Sequence, residues 1–504
     1  MLKIKYSKKW LTLMVVALCL MLSAVGARLQ IIETVTSVFN DIYTKGETVN
    51  KYTITADFDA VEKIIAASET VVYTNNTRMP INAVYFHLYP NAFKTEDYTP
   101  FEKTEMNSAY PNGFEPGYIQ IHNMKNGKEA LNYMTMGLGD SILKVHLNKE
   151  LDPGDQIEIN MDFQVKMPPS CGRFGYGDNT INIANWYPIV SVFDHQGWNL
   201  EPYYAIGDPF YSDIGDYRVM LSLPGEYIVA STGDVIKKEN IDGKVRWTIE
   251  GKKVRDFALI ISDKFKIMND EIDGIKIYSY HFEDLYGEQA LQTAKDSIHI
   301  FNELFGEYPY KQFSVAASDF FIGGMEYPNL VYIDYSLYQE ENKEIMEYVI
   351  AHEAAHQWWY GIVGNDEVDE PWLDEALTEY STMLYYEKKY GEAVREEIYK
   401  NMIERYYNAY RSTEKNMNEK VCRSLKDFKN SREYQVLVYY KGAMFVHELR
   451  KKLGDDQFFQ IMKVYFDKYK YKNSTTENFL EVCEKVSNCD LRDIFKEWLF
   501  YEKE

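Results

Sequence analysis

Residues 352–375 read HEAAHQWWYGIVGNDEVDEPWLDE, and this segment determines which fold the second half of the chain can adopt. Its first five residues lie in an apolar pattern of helical period, which predicts a helix from Glu344 to Tyr360. Residues four apart share one face of a helix, so the imidazoles of His352 and His356 can reach a single ion. The side chain of Glu353 projects beside them and can reach a water molecule at that ion.

A metal ion that takes part in catalysis needs a third protein ligand and an open coordination position. Glu375 follows His356 by 19 residues and starts a second predicted helix, Pro371 to Lys389. A helix, a short loop and a returning helix would bring this carboxylate over the two histidines. Two imidazoles and one carboxylate are typical of zinc, although spacing alone does not distinguish zinc from another divalent ion. The alternative is a solvated helix face without a metal.

Residues 323–442 resemble the M1 family of zinc metallopeptidases, the gluzincin aminopeptidases. In that family 18 residues separate a His-Glu-x-x-His sequence from a glutamate that ends a Trp-Leu-x-Glu sequence. In this chain the sequence WLDE ends at Glu375, with the same number of residues between Glu375 and His356. The resemblance implies that His352, His356 and Glu375 bind one zinc ion per chain. It also implies that Glu353 acts as the general base on a water at the zinc, in the hydrolysis of peptide bonds.

A second family element precedes the predicted metal helix. The family has Gly-x-Met-Glu-Asn here, and this chain reads Gly323-Gly324-Met325-Glu326-Tyr327. By resemblance the first four residues bind substrate, and Glu326 binds the free amino terminus of a peptide. A carboxylate is a strong partner for an ammonium in a partly dry cleft. The tyrosine in place of the asparagine leaves two alternatives open, an aminopeptidase and an endopeptidase.

A third family element, Tyr-x-Lys-Gly, lies on a downstream helix predicted from Val436 to Leu453. When the motif is aligned on Lys441-Gly442, Tyr439 corresponds by resemblance to the family's catalytic tyrosine. The hydroxyl of that tyrosine donates a hydrogen bond to the oxyanion of the tetrahedral intermediate. A register shifted by one residue would select Tyr440 instead.

Taken with the resemblance, these residues predict a metallo-aminopeptidase that removes N-terminal amino acids from peptides. One alternative is a zinc endopeptidase of the cell envelope. Another is a non-catalytic peptide-binding module on the same fold. For Glu379, four residues after Glu375, two interpretations stay open: a partner that orients a histidine, or a solvated helix carboxylate.

The fold class follows from a change of period along the chain. Alternating apolar and polar residues from about Thr53 to Ile267 predict strands, and a helical period dominates from about Asp284. We therefore predict an all-β, antiparallel domain over residues 45–270 and a mainly α domain over residues 271–504. The resemblance implies a saddle-like first domain, a thermolysin-like second domain, and a bacterial type without the family's C-terminal helical domain.

The elements of the second part are predicted in detail. Two short strands, Phe313 to Ala317 and Leu330 to Ile333, interrupt the helices. The predicted helices are Gly287 to Phe305, Glu344 to Tyr360, Pro371 to Lys389, Glu392 to Tyr410, Val436 to Leu453, Asp456 to Lys468, Thr476 to Val486 and Leu491 to Leu499.

The amino-terminal 27 residues predict export. Four lysines precede an apolar run from Trp10 to Val25, and a small-residue pattern ends at Ala27. The segment is a cleaved signal peptide, a retained membrane anchor or a buried core helix. Either of the first two places the bulk of the chain outside the cytosol, extracellular or in the cell envelope. A retained anchor would also associate the protein with the membrane.

Composition excludes some partners and one kind of metal site. The 55 basic and 77 acidic residues give a formal net charge of −22, which disfavours binding to nucleic acid. The five cysteines contain no Cys-x-x-Cys, so a thiolate zinc site is not expected. Cys483 and Cys489 either pair with each other or remain two separate thiols.

Overall fold

The computed structural model describes residues 48–414 and 418–500, with strands in the first part and mostly helices in the second. This order confirms the predicted fold class. The predicted signal or anchor, residues 1–27, lies outside the described residues and stays a prediction. Within the described ranges, no helix combines the length and the apolar character needed to cross a membrane.

Eighteen strands and a single turn of helix, α1 (Met106–Ala109), make up the first part. The strands are β1 Asn50–Asp59, β2 Ile64–Thr74, β3 Ile81–His87, β4 Tyr118–Asn126, β5 Glu129–Ala130, β6 Tyr133–Met136, β7 Ile142–Leu151, β8 Gln156–Lys166, β9 Phe174–Tyr176, β10 Ile181–Ile183, β11 Ile189–Val190, β12 Phe193–Asp194, β13 Gly197–Trp198, β14 Gly215–Leu223, β15 Ile228–Ser231, β16 Asp234–Ile241, β17 Lys244–Val254 and β18 Leu259–Ser262.

The largest sheet has eight strands in the order β16-β17-β14-β1-β2-β8-β4-β5. Strand β1 shows why one face is buried: Tyr52, Ile54, Ala56 and Phe58 point into the core, and the residues between them do not. The pairing is antiparallel, as predicted, except between β1 and β14, which run parallel. A parallel pair needs a long connection, and more than 150 residues separate these two strands.

Two four-stranded sheets, β15-β18-β10-β9 and β11-β3-β7-β6, and the hairpin β12-β13 complete the first part. One continuous core joins the sheets and includes Ile54, Phe86 and Ile260. The same core takes in Tyr327 and Tyr332 from the second part of the chain. The two parts therefore share a packed interface.

The second part opens with a five-stranded sheet in the order β19-β20-β21-β23-β22. Its strands, with the later pair β24-β25, are β19 Lys266–Ile272, β20 Ile275–His281, β21 Gln312–Ser318, β22 Gly324–Met325, β23 Leu330–Asp334, β24 Val363–Asn365 and β25 Lys472–Ser474. Both predicted strands are confirmed as β21 and β23. The chain changes sheet between β18 and β19, and the division into domains at residue 270 stays a prediction.

Among the described residues of the second part, ten α-helices pack around a core that contains Trp358, Trp359 and Trp372. They are α2 Asp284–Phe305, α3 Lys343–Ala355, α4 Trp372–Tyr390, α5 Glu392–Ile398, α6 Arg405–Thr413, α7 Ser431–Tyr434, α8 Gly442–Leu453, α9 Asp455–Tyr469, α10 Thr476–Ser487 and α11 Arg492–Leu499. Cys483 on α10 is buried, Cys489 is exposed, and both are free thiols.

Three predicted helices differ from the structure by more than three residues at an end or in their interior. Helix α3 ends at Ala355 and not at Tyr360, because the N–H groups of Gln357 and Trp358 bond three residues back, and Tyr360 has φ +124°. The predicted helix Glu392 to Tyr410 contains a π-helical segment, Tyr399–Glu404, between α5 and α6. A second π-helical segment, Gln435–Lys441, leads into α8.

Candidate metal and peptide site

Three side chains meet between α3 and α4. His352 lies in the last turn of α3, His356 caps its C-terminus, and Glu375 lies in the first turn of α4. The two Nε2 atoms are 3.1 Å apart, and Glu375 Oε2 lies 3.4 Å from His352 Nε2 and 3.3 Å from His356 Nε2. Ligands at 2.0–2.1 Å around a tetrahedral zinc ion are about 3.3 Å from one another. The three atoms therefore fit one tetrahedral metal ion.

Asp374 orients the ring of His356. Its Oδ1 lies 2.5 Å from His356 Nδ1, and the Trp359 carbonyl and Thr378 Oγ1 each lie 3.1 Å from the same nitrogen. A proton on Nδ1 that is donated to the carboxylate leaves the Nε2 lone pair free for a metal. The ring is 1% exposed, so no solvent competes for this arrangement.

Glu379 orients the ring of His352 in the same way. Its Oε2 lies 3.0 Å from His352 Nδ1, and its Oε1 accepts a hydrogen bond from the hydroxyl of Tyr348. The side chain is 2% exposed, so the interpretation as a solvated helix carboxylate is wrong. Glu379 is instead the partner that fixes the orientation of the first histidine.

Mutual attraction between imidazole and carboxylate shifts the pKa values of the candidate ligands. Burial acts to lower the pKa of His352, but hydrogen bonds to Glu375 and Glu379 outweigh it and raise that pKa to about 9. Burial acts to raise the pKa of Glu375, but His356 and His352 hold it well below its usual range. A metal ion that binds here must displace protons from both imidazoles, so its affinity falls as the pH falls.

Glu353 faces the space beside the two histidines. Burial raises the pKa of its carboxyl to about 7, against the opposing effect of His352 and His356. Its Oε2 has no hydrogen-bond partner among the described residues. A Cβ atom at residue 324 would lie 2.2 Å from Glu353 Oε1, so Gly324 provides the room that this carboxylate occupies.

Glu326 follows β22 and lies close to the same space. One oxygen of Glu326, one of Glu353 and a ring nitrogen of His356 all lie within 4.8 Å of one another. Burial, opposed by His356, holds the pKa of Glu326 well above its usual range. This buried carboxylate is poised to accept a cationic group near the metal ligands.

The other residues of the predicted substrate strand have different surroundings. Gly323 occupies a turn with φ +104°, a conformation that favours glycine. Met325 is buried, and its sulfur accepts a hydrogen bond from Arg173 Nε at 3.0 Å. The structure thus places Met325 in the wall of the site and not on its accessible face.

The structure selects Tyr439 over Tyr440. The Tyr439 hydroxyl donates a hydrogen bond to Glu375 Oε1, and its ring stacks on His352 with centroids 5.8 Å apart and planes at 10°. The Tyr440 ring instead lies 5.8 Å from that of Tyr406, away from the metal ligands. The register that places Tyr439 at the site therefore agrees with the geometry.

Comparison with known proteins shows a family resemblance in the second part of the chain. The model of the Peptidase family M1 domain matches residues 289–498, which include every candidate metal ligand. This part of the chain is similar to peptidase family M1. Aminopeptidase M1-B of Oryza sativa subsp. japonica is 25% identical over 301 residues, 56% of this chain and 34% of the rice protein. Aminopeptidase N of Lactococcus lactis subsp. lactis is 27% identical over 233 residues, 42% of this chain and 26% of that protein.

The chain thus spans 34% and 26% of the length of these two curated relatives. Among solved structures, an M1 zinc metallopeptidase of Deinococcus radiodurans superposes with a TM-score of 0.63 at 14% identity, over 90% of this chain and 95% of that one. A likeness at this identity shows that the two proteins share a fold over both parts of the chain.

The candidate site contains residues that motif reasoning missed. Arg173 and Asp208 form a buried ion pair, and Asp208 is close enough to Glu375 to affect its charge. Glu367, on the turn between α3 and α4, is 1% exposed. None of the three lies in a recognisable motif. The one sequence signal was a charged residue inside an otherwise small and apolar run, such as Arg173 in CGRFG.

Proposed function

We propose that this chain is a zinc-dependent aminopeptidase of the M1 type, which cleaves the peptide bond that follows a free amino-terminal residue. The observation that supports this proposal best is the position of Glu326. Its carboxylate lies within 4.8 Å of the general-base candidate Glu353 and of His356. A substrate ammonium at Glu326 would therefore place the first peptide bond next to the metal ligands.

His352, His356 and Glu375 would hold the zinc ion, because their three ligand atoms have tetrahedral spacing and Glu375 Oε2 has no hydrogen bond within the described chain. Bound there, the ion supplies Lewis acidity to the hydrolysis. The M1 zinc metallopeptidase of Deinococcus radiodurans supports this choice of metal for the fold.

Glu353 would move the proton during the reaction. A carboxyl group with a pKa of about 7 can accept a proton from the attacking water near neutral pH and then return it to the departing amine. The free Oε2 of Glu353 leaves an oxygen available for this transfer. Tyr439, whose hydroxyl already points at Glu375, would donate to the developing oxyanion.

The position of Tyr327 favours an aminopeptidase over an endopeptidase. Its ring is fully buried in the core of the first part, and its hydroxyl lies 3.5 Å from Asn185 Oδ1. The departure from the family's asparagine therefore adds no bulk next to Glu326. A Deinococcus M1 metallopeptidase variant was solved with a Tyr-Ser-Ala substrate, which supports short peptides as the substrate class.

The test compares aminoacyl arylamides with their N-acetylated forms, with zinc content measured for every variant. We expect the free-amine substrates to be cleaved at least about 100-fold faster, because acetylation removes the cation that Glu326 binds. The Glu326→Gln variant should lose most of this preference. The exposed Glu341→Gln serves as a matched control and should behave like the wild type.

The Glu353→Gln variant tests the mechanism itself. We expect kcat to fall by about 10²–10⁴-fold, with zinc content unchanged, because the general base is lost and the metal ligands are not. Equal cleavage of free and acetylated substrates by the wild type would point to an endopeptidase. Undiminished hydrolysis by Glu353→Gln would exclude Glu353 as the base.

A further inference from the structure

The β9–β10 hairpin of the first part holds the segment that carries Glu326 at both of its ends. This segment, residues 319–326, belongs to the second part of the chain. At its start, Asp319 Oδ1 accepts a hydrogen bond from Asn179 Nδ2 at 2.8 Å, and Asp319 Oδ2 accepts one from the N–H of Thr180 at 3.0 Å. The turn between β9 and β10 therefore fixes one end of the segment.

Arg173, the residue before β9, holds the other end. Its Nε donates to Met325 Sδ at 3.0 Å, and its Nη2 donates to the Gly207 carbonyl at 3.3 Å and to the Asp208 carboxylate. The side chain of Arg173 is buried, and Met325 directly precedes Glu326. One guanidinium therefore joins the segment that carries Glu326 to the loop at Gly207 and Asp208.

The backbone from which Arg173 extends is fixed by two closely packed glycines. A Cβ at Gly172 would lie 2.7 Å from Phe101 Cζ, and a Cβ at Gly175 would lie 2.4 Å from the carbonyl oxygen of Ser170. Gly175 also has φ +144°, a conformation that favours glycine. The guanidinium thus starts from a well-defined position, which is what an anchor for another segment requires.

We propose that Arg173 is a positioning residue for the amine subsite, which holds Met325, and through it Glu326, in place for a substrate ammonium. This inference rests on the proposed aminopeptidase function, in which Glu326 binds that ammonium. The contact between ammonium and carboxylate forms on binding and persists in the transition state. Misplacement of Glu326 therefore weakens both states equally, which raises KM and leaves kcat nearly unchanged.

The alternative is that Arg173 only neutralises Asp208. Asp208 is buried and close to Glu375, so its carboxylate would be costly without a cation. Two variants separate these roles. Arg173→Met combined with Asp208→Asn removes both charges, and therefore that cost, without restoring the contact to Met325. Met325→Leu keeps the ion pair and nearly the same volume, and it removes only the sulfur acceptor.

The experiment measures kcat and KM for an aminoacyl arylamide and for its N-acetylated form, with Tm and zinc content, on the full zinc-loaded chain. We expect Arg173→Met, alone or with Asp208→Asn, to raise KM for the free amine by about 10-fold, with zinc at one per chain. The acetylated form has no ammonium, so its kcat/KM should not change. Met325→Leu should raise KM by about 3-fold at an unchanged Tm, because a thioether is a weak acceptor.

Two matched controls lie in the same part of the chain. Arg218→Met removes an arginine from an exposed ion pair with Glu250. Met161→Leu changes a buried methionine in the core of the β-rich part. Both variants should keep the wild-type KM and the wild-type preference for free amines.

Each contrary result has a distinct meaning. A lower kcat or Tm in Arg173→Met, with KM and preference unchanged, would show a purely structural role. Recovery of the wild-type KM in the double variant would show that Arg173 acts only on the charge of Asp208. If Arg173→Met does not fold, an unchanged KM in Met325→Leu overturns the inference. In these cases the proposed function stands, whereas equal cleavage of both substrate forms by the wild type would overturn it together with this inference.

Discussion

Gly324 shows that a missing side chain can position a functional group. The space that its Cβ would fill is taken by the Glu353 carboxylate, with Oε1 at 2.2 Å, Cδ at 2.5 Å and Cγ at 2.6 Å from the hypothetical atom. Because three atoms of the same side chain would clash, the whole carboxylate must move if a methyl group is added. The identity of residue 324 therefore controls where the general-base candidate lies.

We expect Gly324→Ala to lower kcat by about 100-fold, since a misplacement of about 1 Å is enough for such a loss. Zinc content should stay at one per chain, because the three atoms nearest to the added Cβ all belong to Glu353. The assay is arylamide hydrolysis with parallel metal analysis. Gly225→Ala is the control, since its Cβ would meet only Val245 Cγ2 at an ordinary 3.7 Å. Full activity in Gly324→Ala would mean that Glu353 is not the base.

His87 gives a pH dependence of stability. Burial lowers the pKa of its imidazole to about 4, and the ring stacks on Tyr89 at 4.8 Å. The unfolded chain takes up this proton near pH 6.5, and the folded chain does so only near pH 4. The contribution of His87 to the free energy of unfolding is therefore fully present above pH 6.5. It is lost as the pH falls towards 4, by about 3 kcal/mol at most.

The His87→Phe variant should remove this dependence. In urea unfolding at pH 7 and pH 4.5, the wild type should lose more free energy of unfolding than the variant does. The exposed His146 on β7, changed to Phe, should leave the wild-type slope intact. Parallel pH curves for wild type and His87→Phe would show that His87 is not the group responsible.

Sequence reasoning placed some site residues and missed others for a physical reason. His352, His356 and Glu375 were predictable because helical periodicity and one short return fix their geometry. Arg173, Asp208 and Glu367 come from separate loops, and their approach depends on how sheets and helices pack. Glu379 stayed open because its sequence position did not reveal whether its helix face is buried.

At the scale of elements, the contact between α4 and α8 brings Tyr439 to Glu375. Gly442, the first residue of α8, faces Ala376 so closely that an added Cβ would lie 2.5 Å from the Ala376 Cβ. The π-helical segment Gln435–Lys441 leads directly into this contact. Close helix approach and a widened turn together direct the tyrosine hydroxyl towards the metal ligands.

Gly442→Ala should therefore push the two helices apart. We expect a loss of about 1–3 kcal/mol in stability from overpacking and a lower kcat, because Tyr439 withdraws from Glu375. The double variant Gly442→Ala with Ala376→Gly restores the space and should recover activity. Its stability should return close to that of the wild type, since the helix propensity lost with glycine in α4 is gained with alanine at residue 442. If the double variant is no more active than the single one, the spacing argument is wrong.

The ends and interruptions of helices were less predictable than their presence. Apolar periodicity identified α2, α3, α4 and the C-terminal helices, because each must bury one face. It did not predict that α3 stops at Ala355, which depends on tighter hydrogen bonds and on the turn at Tyr360. Nor did it predict the π-helical segments, since one extra residue in a turn barely changes the apolar pattern.

At the scale of the whole molecule, Arg255 connects the two parts of the chain. This fully buried guanidinium donates to the carbonyl oxygens of Ser212 and Tyr360 and to that of Lys472, at 2.6, 2.7 and 3.1 Å. A Cβ at Gly364 would lie 2.0 Å from its Cζ, so the guanidinium fills the space beside β24. One side chain therefore joins the β-rich part to the turn between the metal helices.

Arg255→Met should leave these buried carbonyls without donors and destabilise the protein by about 3 kcal/mol or more. We would follow urea unfolding by far-UV circular dichroism and by tryptophan fluorescence. The two transitions should then no longer coincide, because the two parts unfold separately. Arg255→Lys should be intermediate, since an ammonium cannot reach three carbonyls with fork geometry. Coincident transitions in Arg255→Met would show that the interface does not depend on this residue.

The short parallel pair β24-β25 has a consequence for synthesis. The turn that separates the histidines from Glu375 is made about a hundred residues before its strand partner, Lys472–Ser474, exists. Tyr439 and the partners of Arg255 at residues 472 and 473 are also made after this turn. A growing polypeptide that ends before β25 contains all three candidate ligands. It lacks the strand that pairs with the turn between them. We expect a polypeptide that ends before Lys472 to show no arylamide hydrolysis, because β24 then lacks its parallel partner.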